Sequence, residues 1–399
     1  MKYLVILGDG MADYYIEQIK GTPLSVARKP MADALAKRGT IGLVKTVPEG
    51  FKPGSDTANL SVMGYEPQKY YTGRSPLEAY SLGIKMDDDD LALRCNLLTL
   101  SDEDNYADKT MIDYSAGEIT PEEAAELMEA VKSAFNSDTM TFYTGFSYRH
   151  CLIIRHGVAG TSLTPPHDIT GKKIADYLPK GVYGDAFVEM YKKSAALLKD
   201  HPVNVSRRNR GLNTANSIWL WGEGRRPALD SFKSKFGKTG GVISAVDLLK
   251  GIGKAAMMEV PDVKGATGTI DTDYAAKVSA ALKVLDGNDF CYVHIEAPDE
   301  CGHQGDLQSK IKAIELLDEK VLTPLYNALK QKGEPFRILF LPDHPTPVSV
   351  RTHVSDPVPY LMYQSDKVLG SFDGFDEEKA AASGNRYDSA PLLMKDFLK

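Results

Sequence analysis

Residues 337–353 read RILFLPDHPTPVSVRTH: an apolar run stops at Pro342 and releases Asp343, His344 and, nine residues later, His353. A short run rich in Ile, Leu and Phe and bounded by proline reads as a buried strand of a mostly parallel sheet. The polar residues then lie at its carboxyl end, the edge where open α/β sheets collect ligands. One Asp and two His are ligand types that suit a divalent cation. Taken alone, the stretch is equally well explained as a loop carrying three unrelated polar residues.

A second stretch repeats the arrangement. DFCYVHI at 289–295 reads as another buried strand, and EAPDECGHQGD follows it with Asp299 and His303 four residues apart. On a helix that spacing puts both side chains on one face. The N-terminus, YLVILGDGMAD, is a strand ending in the glycine-flanked Asp9, a third carboxylate ligand candidate, and its glycines let the backbone approach an ion closely. Downstream, PGSDTANLSVMGY places Ser55 after Gly54 and before residues that suit a helix. A hydroxyl at such a turn has helix N–H groups beside it to receive an anion, which makes Ser55 a nucleophile candidate. The ordinary alternative is a serine that only caps the helix.

With 399 residues, 43% hydrophobic and 25% charged, the chain has ordinary globular composition and length for two domains. A net charge of −7 argues against a nucleic-acid or acidic-membrane binder, which needs a clustered basic face. No apolar run is long enough to span a bilayer, and the first residues enter a strand without a signal-peptide pattern. The expectation is a cytoplasmic enzyme acting on a small molecule, its oligomeric state left open. Cys95, Cys151, Cys291 and Cys301 show neither metal-type nor disulfide-type spacing, which fits a reducing compartment. Cys301 lies between Asp299 and His303, but oxygen-rich sites seldom recruit thiolates.

In chain order, residues 1–85 alternate strand and helix signals, with one amphipathic helix expected over PLSVARKPMADALAKRG up to Gly39, and such alternation predicts a parallel sheet. YYTGRSPLEA offers Arg74 as an anion clamp. MDDDD at 86–90 reads as a solvated turn and marks a boundary. From 91 to about 228 the order β-α-β-β-α-β reads as a compact α+β domain. It carries Arg149, His150, His167, Asp168, Arg207, Arg208, Arg210, Arg225 and Arg226, enough cations beside turn signals to suggest an anion-binding face. The α/β pattern resumes near 237, and one helix is expected over QSKIKAIELLDEKVLTPLYNALKQKG. For Asp9 and Ser55 to meet Asp299 to His353, residues 1–86 and 235–399 must form one discontinuous domain around an inserted 87–234 domain.

Five stretches, GDGMAD at 8–13, PGSDTANLSVMGY at 53–65, YYTGRSPLEA at 70–79, APDECGHQGD at 297–306 and PDHPTPVSVRTH at 342–353, resemble the cofactor-independent phosphoglycerate mutases. The likeness is to their shorter, archaeal-type branch, within the alkaline phosphatase superfamily, and it covers nearly the whole chain. The resemblance implies an alkaline-phosphatase-like α/β fold and a role in glycolysis and gluconeogenesis. It also implies two divalent metal ions, Mn2+ first with Mg2+, Zn2+ or Co2+ as alternatives. Asp299, His303 and His353 would hold one metal, and Asp9, Ser55, Asp343 and His344 the other. It further implies catalytic roles for His150 and for Asp168 as general acid/base, and substrate contacts from Arg149, Arg207, Arg210 and Lys254. Ser55 would carry the phosphoryl group from 3-phosphoglycerate to 2-phosphoglycerate without bisphosphoglycerate, the inserted domain acting as a lid against water. The competing readings are a metal-dependent phosphatase or phosphomutase on another small metabolite, a homoserine-type small-molecule kinase, and a metal-stabilised binding protein. For the kinase the sequence has no G-x-x-x-x-G-K-[ST] loop.

Overall fold

In the computed structural model, which describes residues 1–399, the run before Pro342 is the strand Phe336–Leu341, buried along nearly its whole length. Its sheet has seven strands in the order Gly240–Ile243, Phe290–Ile295, Lys2–Gly8, Phe336–Leu341, Val358–Gln364, Thr40–Val44 and Arg386–Tyr387. Val358–Gln364 alone runs against its neighbours, so the other six strands share one direction. Val5 sits between Tyr292 and Leu339 in register. Leu4, Ile6, Cys291, Val293, Ile338 and Phe340 point into one hydrophobic cluster with residues of the helices Tyr274–Gly287 and Leu307–Leu317. The opposite face is buried as well, which is why these strands read as continuous apolar runs rather than alternating ones.

Two helix expectations need correction. The helix expected up to Gly39 is two, Pro23–Val26 and Pro30–Ala36. Pro30 has no N–H to continue the first, and the residue before it, Lys29, is pushed to φ −131°, ψ 63°. The helix expected over 308–333 is Leu307–Leu317 and Thr323–Lys332, joined by a π-helical turn, Asp318–Leu322. Pro324 supplies no N–H, and the widened turn absorbs the missing bond. The Asp318 carboxylate there accepts from Met31 N (3.1 Å) and Ala32 N (2.8 Å), closing the start of the Pro30 helix that its own N-cap residue leaves uncapped.

The chain divides into two units, residues 1–71 with 229–399, and residues 72–228. These boundaries differ from 86/87 and 234/235 on the N-terminal side because the helix Arg74–Ser81 belongs with the second unit's sheet. Ser75 Oγ bonds the Gly222 carbonyl and accepts from Arg94 N at 3.1 Å. Leu91–Leu100 is central to that sheet, antiparallel to Arg149–Ile154 on one side and to Ser217–Arg225 on the other, with Met140–Phe146 outside Arg149–Ile154. Leu93, Cys95, Leu152 and Ile154 face a core closed by the helices Pro121–Phe135 and Gly184–Lys199. The MDDDD turn is only partly solvated: Asp90 is fully buried and paired with Arg155. No helix is long and apolar enough to cross a membrane.

Candidate metal centre and active site

Asp9 follows Lys2–Gly8, Asp299 lies in the helix Ala297–Gln304 after Phe290–Ile295, and Asp343 and His344 follow Phe336–Leu341. Those three strands are adjacent and parallel, so their carboxyl ends bring the side chains together at one sheet edge. Two overlapping donor sets result, Asp299, His344 and His353, and Asp9, Asp343 and His344, with the ligand atoms of each set within 4.8 Å of one another. His303 joins the first through its Nε2, 3.2 Å from Asp299 Oδ2 and 2.9 Å from His353 Nε2. Ser55 joins the second, its Oγ 3.1 Å from His344 Nε2.

Ser55 is the first residue of the helix Ser55–Val62 and Gly54 is its N-cap. A capping serine would turn its oxygen onto its own helix; this one turns it toward His344 instead. Gly10, at φ +60°, allows the Asp9 loop to lie against Asp299, since a Cβ there would come within 2.5 Å of the Asp299 carboxylate and the Thr346 hydroxyl.

The electrostatics call for a cation. Burial, together with Asp343, Asp299 and Glu296, pushes the Asp9 carboxyl well above its usual range, and its Oδ1 is buried without a hydrogen-bond partner. Burial works the same way on Asp299, but hydrogen bonds from His303 and His353 more than offset it and hold that carboxylate well below the usual range. The Asp299 hydrogen bond in turn raises His303 to about 9, whereas burial lowers His344. A buried carboxylate oxygen without a donor, among imidazole and carboxylate groups, is the arrangement divalent ions occupy. Cys301 packs into the hydrophobic cluster as a thiol, burial raising it to about 11, and offers no ligand.

Several buried groups around these ligands escaped the sequence reading. His294 Nε2 lies 2.8 Å from Asp9 Oδ2 and its Nδ1 lies 3.1 Å from Ser244 Oγ; burial lowers it to about 4, so it is neutral. Asn59 reaches Asp343, and Tyr292 reaches Asn59. Lys310 and Asp13 form an ion pair of 2.8 Å with both side chains wholly buried, and Lys310 Nζ also donates to the carbonyls of Ala12 and Thr346. It thereby ties the Asp9 loop to the loop that follows Asp343. The available signal was a polar pair, Tyr292 and His294, spaced by two within an apolar strand.

The second unit distributes its charges otherwise than expected. Arg149 and His150 are neighbours on one strand and so point to opposite faces. His150 goes inward: it is 4% exposed, its Nδ1 accepts from Gly145 N at 3.1 Å, its Nε2 has no partner, and burial with nearby Lys132 lowers it to about 3. The catalytic role expected of it is corrected to that of a neutral core histidine. Arg207, 2% exposed, pairs with Glu123 and donates to the carbonyls of Asn213 and Ala116, and Arg210 takes the other Glu123 oxygen. Arg207 is thus placed as a buried brace within the unit, while Arg210 is half exposed and shares Glu123 with it. Arg208, Arg225 and Arg226 likewise bond Lys199, Asp89, Gly157 and Asp88 of their own unit.

The cationic cluster lies elsewhere, on the face that carries Arg149. Glu78 accepts from Arg74 Nε at 2.8 Å and pairs with Arg94 Nε at 2.9 Å. Burial would raise Glu78, but Arg94, Arg74 and Arg149 hold it below its usual value. Arg94 also lies 4.1 Å from the Trp221 ring, which meets His167. Three arginines around one carboxylate leave an excess of positive charge on an aromatic-lined face, suited to a small anion. Asp168 is exposed next to His167, 3.6 Å away. Arg94, a lone charge inside the strand LALRCNLLTL, is the residue the sequence reading passed over. Lys254, in the first unit, lies within the last turn of the helix Asp247–Ala255.

Residues 36–204 match the family model of 2,3-bisphosphoglycerate-independent phosphoglycerate mutase. The chain is 50% identical over 383 residues to the enzyme of that name from Methanosarcina barkeri, covering 95% of each. It is 48% identical to the probable enzyme of that name from Geobacter sulfurreducens over 400 residues, covering the full length of both. Among solved structures, it is similar to a Pyrococcus horikoshii protein with a TM-score of 0.83 at 28% identity, covering 100% of this chain and 97% of that one. It is also similar to the cofactor-independent phosphoglycerate mutase of Thermoplasma acidophilum, with a TM-score of 0.66 at 25% identity and coverage of 100% and 99%.

Proposed function

The chain belongs to the 2,3-bisphosphoglycerate-independent phosphoglycerate mutase family, and from that premise we propose that it interconverts 3-phosphoglycerate and 2-phosphoglycerate through a phosphoserine at Ser55. The observation that carries this reading is the Ser55 hydroxyl, at a helix start that no side chain caps and 3.1 Å from His344 among the convergent donors.

Ser55 Oγ bonds to phosphorus as the bond from phosphorus to the C3 oxygen of the substrate breaks. The glycerate C2 hydroxyl then attacks the phosphoserine, and the Ser55 ester breaks as 2-phosphoglycerate forms. The proton lost by Ser55 in the first half is regained in the second, and Asp168 is our assignment for the group that exchanges protons with the glycerate hydroxyls. The start of the Ser55 helix offers backbone N–H groups to the phosphoryl oxygens. Arg74 and Arg149, joined by Arg94, are proposed for the substrate's anionic groups, with Lys254 as a phosphate contact.

Asp299, His303 and His353 would hold one divalent cation, and Asp9, Ser55, Asp343 and His344 the other. When bound, such ions supply Lewis-acid charge that lowers the hydroxyl pKa of Ser55 and offsets charge on the transferring group. Mn2+ is our choice because the family resemblance implies it, and a donor set mixing imidazole with carboxylate is compatible with it.

The test is to incubate the Mn2+-loaded protein with 3-phosphoglycerate in the absence of bisphosphoglycerate and nucleotide. The 2-phospho isomer should accumulate to equilibrium without loss of organic phosphate. Release of inorganic phosphate instead would make the protein a phosphatase, and turnover only with added nucleotide would make it a kinase.

A further inference from the structure

The strand Phe290–Ile295 turns Cys291, Val293 and Ile295 into the hydrophobic cluster, so Tyr292 and His294 share the other face. Neither is exposed to solvent. His294 reaches the ligand candidate Asp9 directly. Tyr292 reaches no ligand candidate, yet its hydroxyl donates to Asn59 Oδ1 at 2.7 Å. Asn59, also fully buried, donates from Nδ2 to Asp343 Oδ2 at 2.6 Å and to the Ser55 carbonyl at 2.9 Å.

We infer that Tyr292 and Asn59 are positioning residues that act as one relay, fixing the metal-ligand carboxylate of Asp343 and the backbone of the nucleophile together. An asparagine side chain has one oxygen and one NH2 group. With the tyrosine hydroxyl donating to that oxygen, the NH2 group is left to face Asp343 and Ser55, and the reversed amide would set two oxygens against each other. On its other side Asp343 Oδ1 accepts from Gly10 N at 3.1 Å and from its neighbour His344 N at 3.0 Å. The carboxylate is therefore held by N–H donors on both oxygens, and its Oδ2 is left facing His344 Nε2 at 3.4 Å, where the donor set converges. Because Asn59 stands one helical turn after Ser55, the amide that sets the ligand also sets the start of the nucleophile's helix. Groups of this kind around a metal site affect affinity about 10- to 100-fold when removed.

The relay rests on the metal-centre reading, so its test carries a control for that reading. Mn2+ binding to Tyr292→Phe, Asn59→Ala, the double variant and Asp343→Asn is measured by titration calorimetry, with the melting temperature of each metal-free protein. Tyr292→Phe removes one oxygen and keeps the ring, so it is the variant expected to fold if Asn59→Ala does not. The expected result is that Tyr292→Phe weakens one of two Mn2+ sites about tenfold. The double variant should weaken it no further than Asn59→Ala alone, because both changes break one relay. Unchanged Mn2+ affinity in Tyr292→Phe, with any loss confined to melting temperature, overturns the relay and leaves a plain core tyrosine. Additive losses overturn it too. If Asp343→Asn binds two Mn2+ ions as the wild type does, the metal-centre reading falls, and the relay with it.

Discussion

At the sheet edge of the first unit, three buried carboxylates converge on histidines, whereas on the sheet face of the second, three arginines surround the single carboxylate of Glu78. The first cluster carries excess negative charge in a low-dielectric setting, which is stable only when something positive joins it. The second is neutralised by its own unit only to the extent of one charge in three, and Glu78 orients as much as it neutralises. A cation completes the first and a small anion suits the second, so removing one group should have different consequences in each.

The largest effect is expected at Ser55, the proposed nucleophile. Ser55→Ala should lower turnover by about a thousandfold or more while leaving Mn2+ content and fold in place, because the hydroxyl is one donor among several. Wild-type activity in that variant, or no phosphoserine at 55 by mass spectrometry under trapping conditions, would remove the covalent mechanism. His344→Ala should go further in metal content, because His344 belongs to both donor sets. Fewer than two Mn2+ per chain is the expected outcome by elemental analysis, and full occupancy with full activity would break the assignment.

In the second unit the comparison sharpens into two arginines of opposite kind. Arg149→Ala should raise KM about tenfold or more with Mn2+ content unchanged, because it removes part of the charged clamp proposed for the substrate. Arg207→Ala should leave KM within about twofold but destabilise the unit by about 3 kcal/mol, since it leaves the Asn213 and Ala116 carbonyls without the donors the buried guanidinium supplies and Glu123 with Arg210 alone. Denaturant melts and steady-state kinetics on both variants separate these roles; a KM defect in Arg207→Ala would return it to the substrate site.

The convergence of Asp9, Ser55, Asp299, His303, Asp343, His344 and His353 was readable because each follows a buried apolar strand, with glycine or proline marking the turn. The mostly parallel sheet was readable for the same reason. What could not be read was pairing over distance: Glu123 meets Arg207 and Arg210 across 84 and 87 residues, and no local pattern records it. Tyr292 and Asn59 were hidden differently, inside runs where a polar group looks like a tolerated exception until its partner is known. Two misreadings did have a visible signal. Pro30 interrupts the helix expected up to Gly39, and adjacent Arg149 and His150 cannot share a face of one strand.

The smallest expected effect follows from that last point and bears on His150 alone. In the folded chain burial keeps this imidazole neutral down to about pH 3, while in the unfolded chain it takes up its proton near the ordinary value of 6.5. The unfolded state then binds more protons over that interval, so stability falls as pH drops below 6.5 and is unaffected by this group above it. Between pH 6.5 and pH 5 the loss is about 2 kcal/mol, at roughly 1.4 kcal/mol for each pH unit. His150→Asn keeps an acceptor for the Gly145 N–H and does not titrate, so its stability profile should be flatter than wild type over that interval by this amount. Denaturant melts at pH 6.5 and pH 5 measure the difference, and activity at pH 7 should be nearly unchanged. A loss of turnover of a hundredfold or more in His150→Asn, with stability intact, would move this histidine back to the chemistry and erase one of the contrasts between the two units.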